Sequence, residues 1–349
     1  MTRIMFLRIA LILSSVVVIG TGGTDTAVPQ EYVFSIPSLD IADPTHVFIT
    51  STSREPILTT LRIPGVYEVN NTINRYNPAD IQLSIDVVGR DVRVNPGDQQ
   101  HNKTIIIQSS AEILPFVIDN DYAGGDAYLV SPTSRLGTQY HVASYKSYST
   151  ATPSCFCISS VYSNTWVKIT TPAGQTHRIT LNRYESYRFD GGEDEDLSGT
   201  FIQSNKPIAV ISGVYTQVPE GVLYGDGLIE QLPPVRNWGY NFALTPFLSL
   251  NSGYVYRVFT TIHSATLQMS DGSITHIAAE SFHEEDVRGN TVLSFTSDQP
   301  VMVAQYMKGW HSNNPGRGEP SMIIVTPIAA FTAEVTFPYC VYWVSYRIS

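Results

Sequence analysis

Cysteine is almost absent. Cys155, Cys157 and Cys340 are an odd number and far too few to staple 349 residues into a disulfide scaffold. Cys155 and Cys157, two positions apart, share one face of a strand with no metal-ligand spacing beside them, so they read as small buried apolar residues. The core must therefore hold by packing. Charge is scarce too, at 15% of residues, and 21 basic against 31 acidic side chains leave a net charge of −10. That balance excludes the basic surface that non-specific nucleic-acid binding needs, and no basic amphipathic stretch favours a membrane surface. Catalytic signatures are missing: there is no G-x-S-x-G elbow, H-E-x-x-H helix, phosphate loop or dinucleotide fingerprint. The eight histidines stand singly, none two residues from another. Catalysis is not expected, and no cofactor is implied.

Long apolar runs are confined to the N terminus. Arg3 and Arg8 precede an apolar core over Ile9–Ile19, and Gly20-Thr21-Gly22 supplies small residues for cleavage. Eleven apolar residues are short of the roughly 17–25 that span a bilayer. Residues 1–22 are therefore read as a secretory signal, with the mature chain starting near Gly23 and a lead-in over 23–45. Two acceptor triplets, Asn70-Asn71-Thr72 and Asn102-Lys103-Thr104, suit an exported chain and predict surface glycosylation at Asn70 and Asn102. Localisation is expected to be extracellular.

What is abundant is β sequence. Short runs rich in β-branched and aromatic residues (Val47–Thr50, Ile81–Val88, Thr104–Gln108, Trp166–Ile169, Tyr254–Thr261, Val292–Phe295) alternate with Gly, Asn, Asp or Pro at spacings of roughly 8–15 residues. With 24 Gly and 21 Pro scattered as turn punctuation and 43% hydrophobic residues, the fold class is all-β, with helix a minor component.

One passage recurs. Gln203–Ile211 has counterparts in Gln108–Phe116 and Thr296–Ala304, 95 residues before and 93 after. Each holds a serine (Ser204, Ser109, Ser297), then polar residues read as a turn, then an apolar run suited to a strand buried on both faces. Gly-Asp/Glu marks follow at Gly125-Asp126, Gly225-Asp226 and Gly318-Glu319. Hairpin turns at Pro172–Gln175 and Asp271–Ser273 fall at matching places in the second and third copies. The pattern predicts three diverged repeats of about 95 residues over 46–145, 146–253 and 254–337, built as β-sandwich-like units or, alternatively, as propeller-like blades, with 338–349 unassigned.

The same residues carry a resemblance. Asp196-Leu-Ser-Gly-Thr200, Ser204-Asn-Lys-Pro-Ile-Ala-Val-Ile-Ser-Gly213, Glu230-Gln-Leu-Pro-Pro-Val-Arg-Asn-Trp-Gly239, Asp126-Ala-Tyr-Leu-Val130 and Leu136-Gly-Thr-Gln-Tyr-His-Val-Ala-Ser-Tyr145 are similar to the N-terminal domain family of IgGFc-binding protein, from about Ser51 to about Phe337. The resemblance implies an extracellular, non-catalytic module found in large mucus or adhesive proteins. It carries over no residue-level site, and immunoglobulin Fc binding is not transferred with it, because family and fold do not fix a ligand.

Candidate sites come from the residues themselves. The acidic run Asp190 to Asp196 offers Asp190, Glu193, Asp194 and Asp196 as oxygen ligands for calcium, but its spacing is not that of an EF-hand, and such runs more often mark a solvated loop. Twenty Tyr and four Trp supply amphipathic surface. The loops that first suggest partner binding hold Trp238 and Tyr240, and His311 and Arg317. The sequence thus points to a secreted binding or structural module in mucus, adhesion or innate defence, with an extracellular protein or glycoprotein partner. A calcium-dependent glycan-binding protein or a secreted hydrolase is the competing class.

Overall fold

The computed structural model describes residues 28–39, 45–97, 100–120, 125–147, 152–219, 225–247, 252–309 and 320–331. The signal over 1–22, the loop bearing His311 and Arg317, the third mark at Gly318-Glu319, Cys340 and the segment 338–349 lie outside these residues.

The described residues are all-β apart from single helical turns. The first group of strands is β1 Gln30–Phe34, β2 His46–Thr50, β3 Ile57–Ile63, β4 Tyr67–Ile73, β5 Ala79–Gln82, β6 Gln100–His101, β7 Ile105–Ser109, β8 Leu114–Asn120 and β9 Gly125–Leu129. The second is β10 Gly137–His141, β11 Cys155–Ser160, β12 Thr165–Thr170, β13 Thr176–Leu181, β14 Ser186–Asp190, β15 Phe201–Thr216 and β16 Asp226–Gln231. The third is β17 Gly239–Leu244, β18 Tyr254–Phe259, β19 Ala265–Met269, β20 Ile274–Ile277, β21 Phe282–Val287, β22 Leu293–Met307 and β23 Ser321–Val325.

One pairing scheme appears in each group. In the first, β1-β7-β3-β4 form one antiparallel sheet and β5-β2-β8-β9 another. In the second, β10, β12 and β13 assemble on the first half of β15, while β11, β14 and β16 assemble on its second half. The third group does the same with β17, β19 and β20 on one half of β22 and β18, β21 and β23 on the other. The second and third groups are therefore each two sheets cornered by one strand that passes between them and curls them towards a barrel, whereas the first keeps two separate four-stranded sheets. β6 joins the second group's sheet by pairing with β14.

One expectation is corrected here. The passage Ser204–Pro207 is not a turn between two strands; it is a bend inside β15, and Ser297–Pro300 is its counterpart inside β22. Ladder pairing to β12 ends at Ser204 and pairing to β11 starts at Ile208. Pro207 has no N–H to give a ladder, and the Ser204 hydroxyl donates to the Lys206 carbonyl (2.7 Å), so the chain changes partners without reversing. In the first group the bend widens to a break between β7 and β8, where Ser109 donates to Ala111 O (2.6 Å). A buried phenol holds the far side of the bend: Tyr32 donates to Ile113 O (2.8 Å) and Tyr140 to Ile208 O (2.6 Å). The apolar runs beyond it, Ile113–Phe116, Ile208–Ile211 and Val301–Ala304, are buried as expected.

Strand pairing runs across the expected repeat boundaries. β10 and β17, which boundaries at 145 and 253 assign to the preceding repeat, pair with β15 and β22 of the following one, and β1 from the lead-in pairs with β7. The Gly-Asp marks also fall out of step. Leu129 and Gln231 stand opposite Phe116 and Ile211, which places Asp126 level with Leu228 rather than with Asp226.

The groups share cores. Cys155, Ile211 and Ile229 join the apolar cluster of the first group, and Val255, Phe259, Tyr306 and Met322 join that of the second. The edge strands β9, β16 and β23 pack together, one from each group.

Candidate functional site

The acidic loop connects β14 to β15, and its ends are drawn in opposite directions. Asp190 accepts from Arg188 Nε (2.6 Å) and from the Gly97 amide (3.0 Å), both on the side of the first group. Asp196 faces the third group and accepts from Arg257 Nη1 (2.7 Å). Glu195 folds back on the Gly192 amide (2.6 Å), Asp194 lies 3.9 Å from Lys146 Nζ, and Glu193 is exposed. The candidate ligands Asp190, Glu193, Asp194 and Asp196 are thus not gathered round one point, and no cluster of three or more possible ligands occurs among the described residues.

Two arginines not singled out from the sequence organise this region. Arg188 has a fully buried side chain whose Nη1 reaches the carbonyls of Ser38 (2.9 Å) and Val94 (2.6 Å) in the first group. Arg257, on β18 of the next group, bridges in a similar way from a different strand, donating to Ser144 O (2.8 Å) and Ser198 Oγ (2.7 Å) and pairing with Asp196 and Glu284 at 2.7 Å each. Its guanidinium lies 4.2 Å from the Tyr145 ring centre and 4.7 Å from that of Phe282. Burial works against its charge, but Tyr306, Asp196 and Glu284 hold it firmly protonated. The signal was present: a lone arginine in the otherwise apolar strand Tyr254–Phe259 must find anions or carbonyls.

The meeting of β9, β16 and β23 is acidic. Asp126 Oδ1 accepts from Ser321 Oγ and the Ala127 amide (2.9 Å each), and Oδ2 from the amides of Ile229 (3.2 Å) and Met322 (3.3 Å). Glu230 Oε1 accepts from the Ile324 amide at 3.4 Å. Burial pushes Asp126 up to about 7, and burial together with the charge of Asp126 raises Glu230 well above the usual carboxylate range.

Of the surface candidates, Trp238 is withdrawn. It is 8% exposed, lies tilted against His141 at 5.5 Å between ring centres, and donates its indole N–H to Pro233 O (3.3 Å), so the loop expected to present it packs it instead. Tyr240, two residues on, faces solvent at 50% exposure. Tyr162 and Trp166, around the β11–β12 turn, are exposed aromatics that β propensity had concealed as strand residues. Asn70 on β4 and Asn102 are both exposed.

These residues sit in a chain with clear relatives. The profile of a family described as IgGFc binding protein matches residues 126–339, more than half of the sequence. The chain belongs to the IgGFc-binding protein family. A human IgGFc-binding protein is 23% identical to it over 289 residues, which cover 73% of this chain and 5% of the human protein. The matched region includes Asp126, Arg188, Asp196, Glu230 and Arg257, while the Ser38 and Val94 carbonyls that Arg188 reaches precede it. Among the described residues, no helix is long and apolar enough to cross a membrane.

Proposed function

We propose that this chain is a secreted, non-catalytic binding module that engages an extracellular protein or glycoprotein in a mucus, adhesive or defence setting. Membership of the IgGFc-binding protein family carries the reading. The recurrence of one strand-pairing scheme supports three diverged copies of a single unit as its scaffold. Tyr240, with Tyr162 and Trp166, offers the exposed aromatic area that protein and glycan partners use. Immunoglobulin Fc, named in the human relative, is the first partner to try, and a mucus glycoprotein the second.

Expression in a secretory cell tests the first half: a mature chain starting near Gly23 is expected, shifting in mass on removal of N-glycans at Asn70 and Asn102. Retention in the cytosol with Met1 intact would overturn export. For the second half, binding of the secreted chain to immobilised Fc and to mucus glycoprotein is measured with Tyr240→Ala and Trp166→Ala. Loss of about tenfold in affinity in either variant is expected for an aromatic anchor; unchanged affinity in both would move the site elsewhere.

A further inference from the structure

We propose that the meeting point of β9, β16 and β23 is a proton-operated latch between the three units, tightening as the medium acidifies and loosening towards neutrality. Asp126 joins all three strands: its two oxygens take four donors, from Ala127 on its own strand, Ile229 on β16, and Ser321 and Met322 on β23. Glu230 adds a second buried carboxyl, with one long bond from Ile324 on β23 and a backbone bond from Gln231 on its own strand. Two carboxyl groups that feel each other in a buried site do not ionise independently. Asp126, with four donors, is the better home for a charge, and Glu230 is the group that keeps a proton.

Among the described residues, no cation relieves them. The other titratable groups of this layer are Asp119 from β8, Tyr128 from β9, Cys157 from β11 and Asp226 at the start of β16, while β23 brings only the Ser321 hydroxyl. The arginine on β14, Arg188, is turned to Asp190 and to the carbonyls of Ser38 and Val94. The Tyr128 hydroxyl and Gln231 Nε2 are buried without a partner at the same strands, so the site is polar but not saturated.

The sign follows. Both carboxyl groups bind protons more tightly in the folded chain than in the unfolded one, so their contribution is fully present below about pH 4 and falls as pH rises through about 7 for Asp126. His141 acts oppositely: burial lowers it to about 4, so its contribution is lost as pH falls from 6.5 towards 4. A His141→Phe background removes that opposing slope while a phenyl ring keeps the tilted aromatic contacts with Phe201 and Trp238.

The test is thermal unfolding of the full chain from pH 5 to 8 in that background, with and without Glu230→Gln, which keeps a carbonyl for Ile324. The parent is expected to lose about 3 °C or more in Tm across this range, and Glu230→Gln to flatten that slope by at least half. Infrared spectra should show a protonated-carboxyl stretch at neutral pH that Glu230→Gln removes. A parent profile that is flat or rises with pH, an equal slope in the variant, or no such stretch in the parent would each overturn the latch. Because the readouts are stability and protonation, they stand apart from any failure of partner binding.

Discussion

Ser204 is 6% exposed and donates one hydrogen bond to the carbonyl two residues ahead, across the bend of β15. Its recurrence as Ser109 and Ser297 reflects backbone geometry, and the contact differs in kind between copies. Ser109 also donates to a carbonyl two residues on, whereas Ser297 accepts weakly from the Gln299 amide (3.4 Å). Ser204→Ala is expected to cost about 0.5–1.5 kcal/mol, the net worth of one such bond, read by urea or thermal unfolding, with partner binding unchanged. Lost binding at an unshifted Tm would make Ser204 a member of a binding site. The cysteines were legible at this scale: Cys155 and Cys157 are wholly buried, and burial pushes the Cys155 thiol up to about 11, so neither behaves as a reactive thiolate. What they face was not legible, because Cys155 packs into the core of the preceding unit and that neighbour is set by the whole fold.

At the scale of elements, the hairpins were readable and the closures were not. Gly174 and Gly272 occupy left-handed backbone in the two turns read from Pro172–Gln175 and Asp271–Ser273, a conformation that glycine adopts at no steric cost. The closures depend on contacts distant in sequence. Each of the second and third units opens its first strand on a glycine, and the proline that precedes a single 3₁₀ turn at the unit's end lies on it. A Cβ on Gly137 would fall 2.4 Å from Pro234 Cβ, and one on Gly239 2.3 Å from Pro327 Cβ. Gly137→Ala and Gly239→Ala are each expected to destabilise by about 1–3 kcal/mol, as overpacking does, with the loss visible as a lowered midpoint in denaturant. An unshifted midpoint would mean that the closing turn gives way freely.

For the whole molecule, the arginine contacts decide how successive units are held. Arg188 binds carbonyls of the first unit from the second, and Arg257 binds Ser144, Ser198 and Asp196 of the second from the third. Arg257→Met should cost about 2–4 kcal/mol, towards the lower end of breaking a buried pair, since Asp196 and Glu284 keep some access to water. Limited proteolysis would then be expected to cut first in the connection between the second and third units, over 232–238. Cleavage spread evenly along the chain would argue against a local junction. The sequence by itself determined the strands, the buried runs, the hairpin turns, the absence of a disulfide frame and the family, because side-chain alternation, turn chemistry and composition act over a few neighbouring residues. Only the tertiary structure decided that β15 bends instead of turning, that Trp238 is covered while Tyr240 is not, that Asp190 and Asp196 serve two arginines, and that Asp126 and Glu230 are buried on strands that pack together. Each of these rests on which strand lies beside which. That choice is made by burial and by the pairing of polar groups between residues as much as 196 positions apart, as Asp126 and Met322 are.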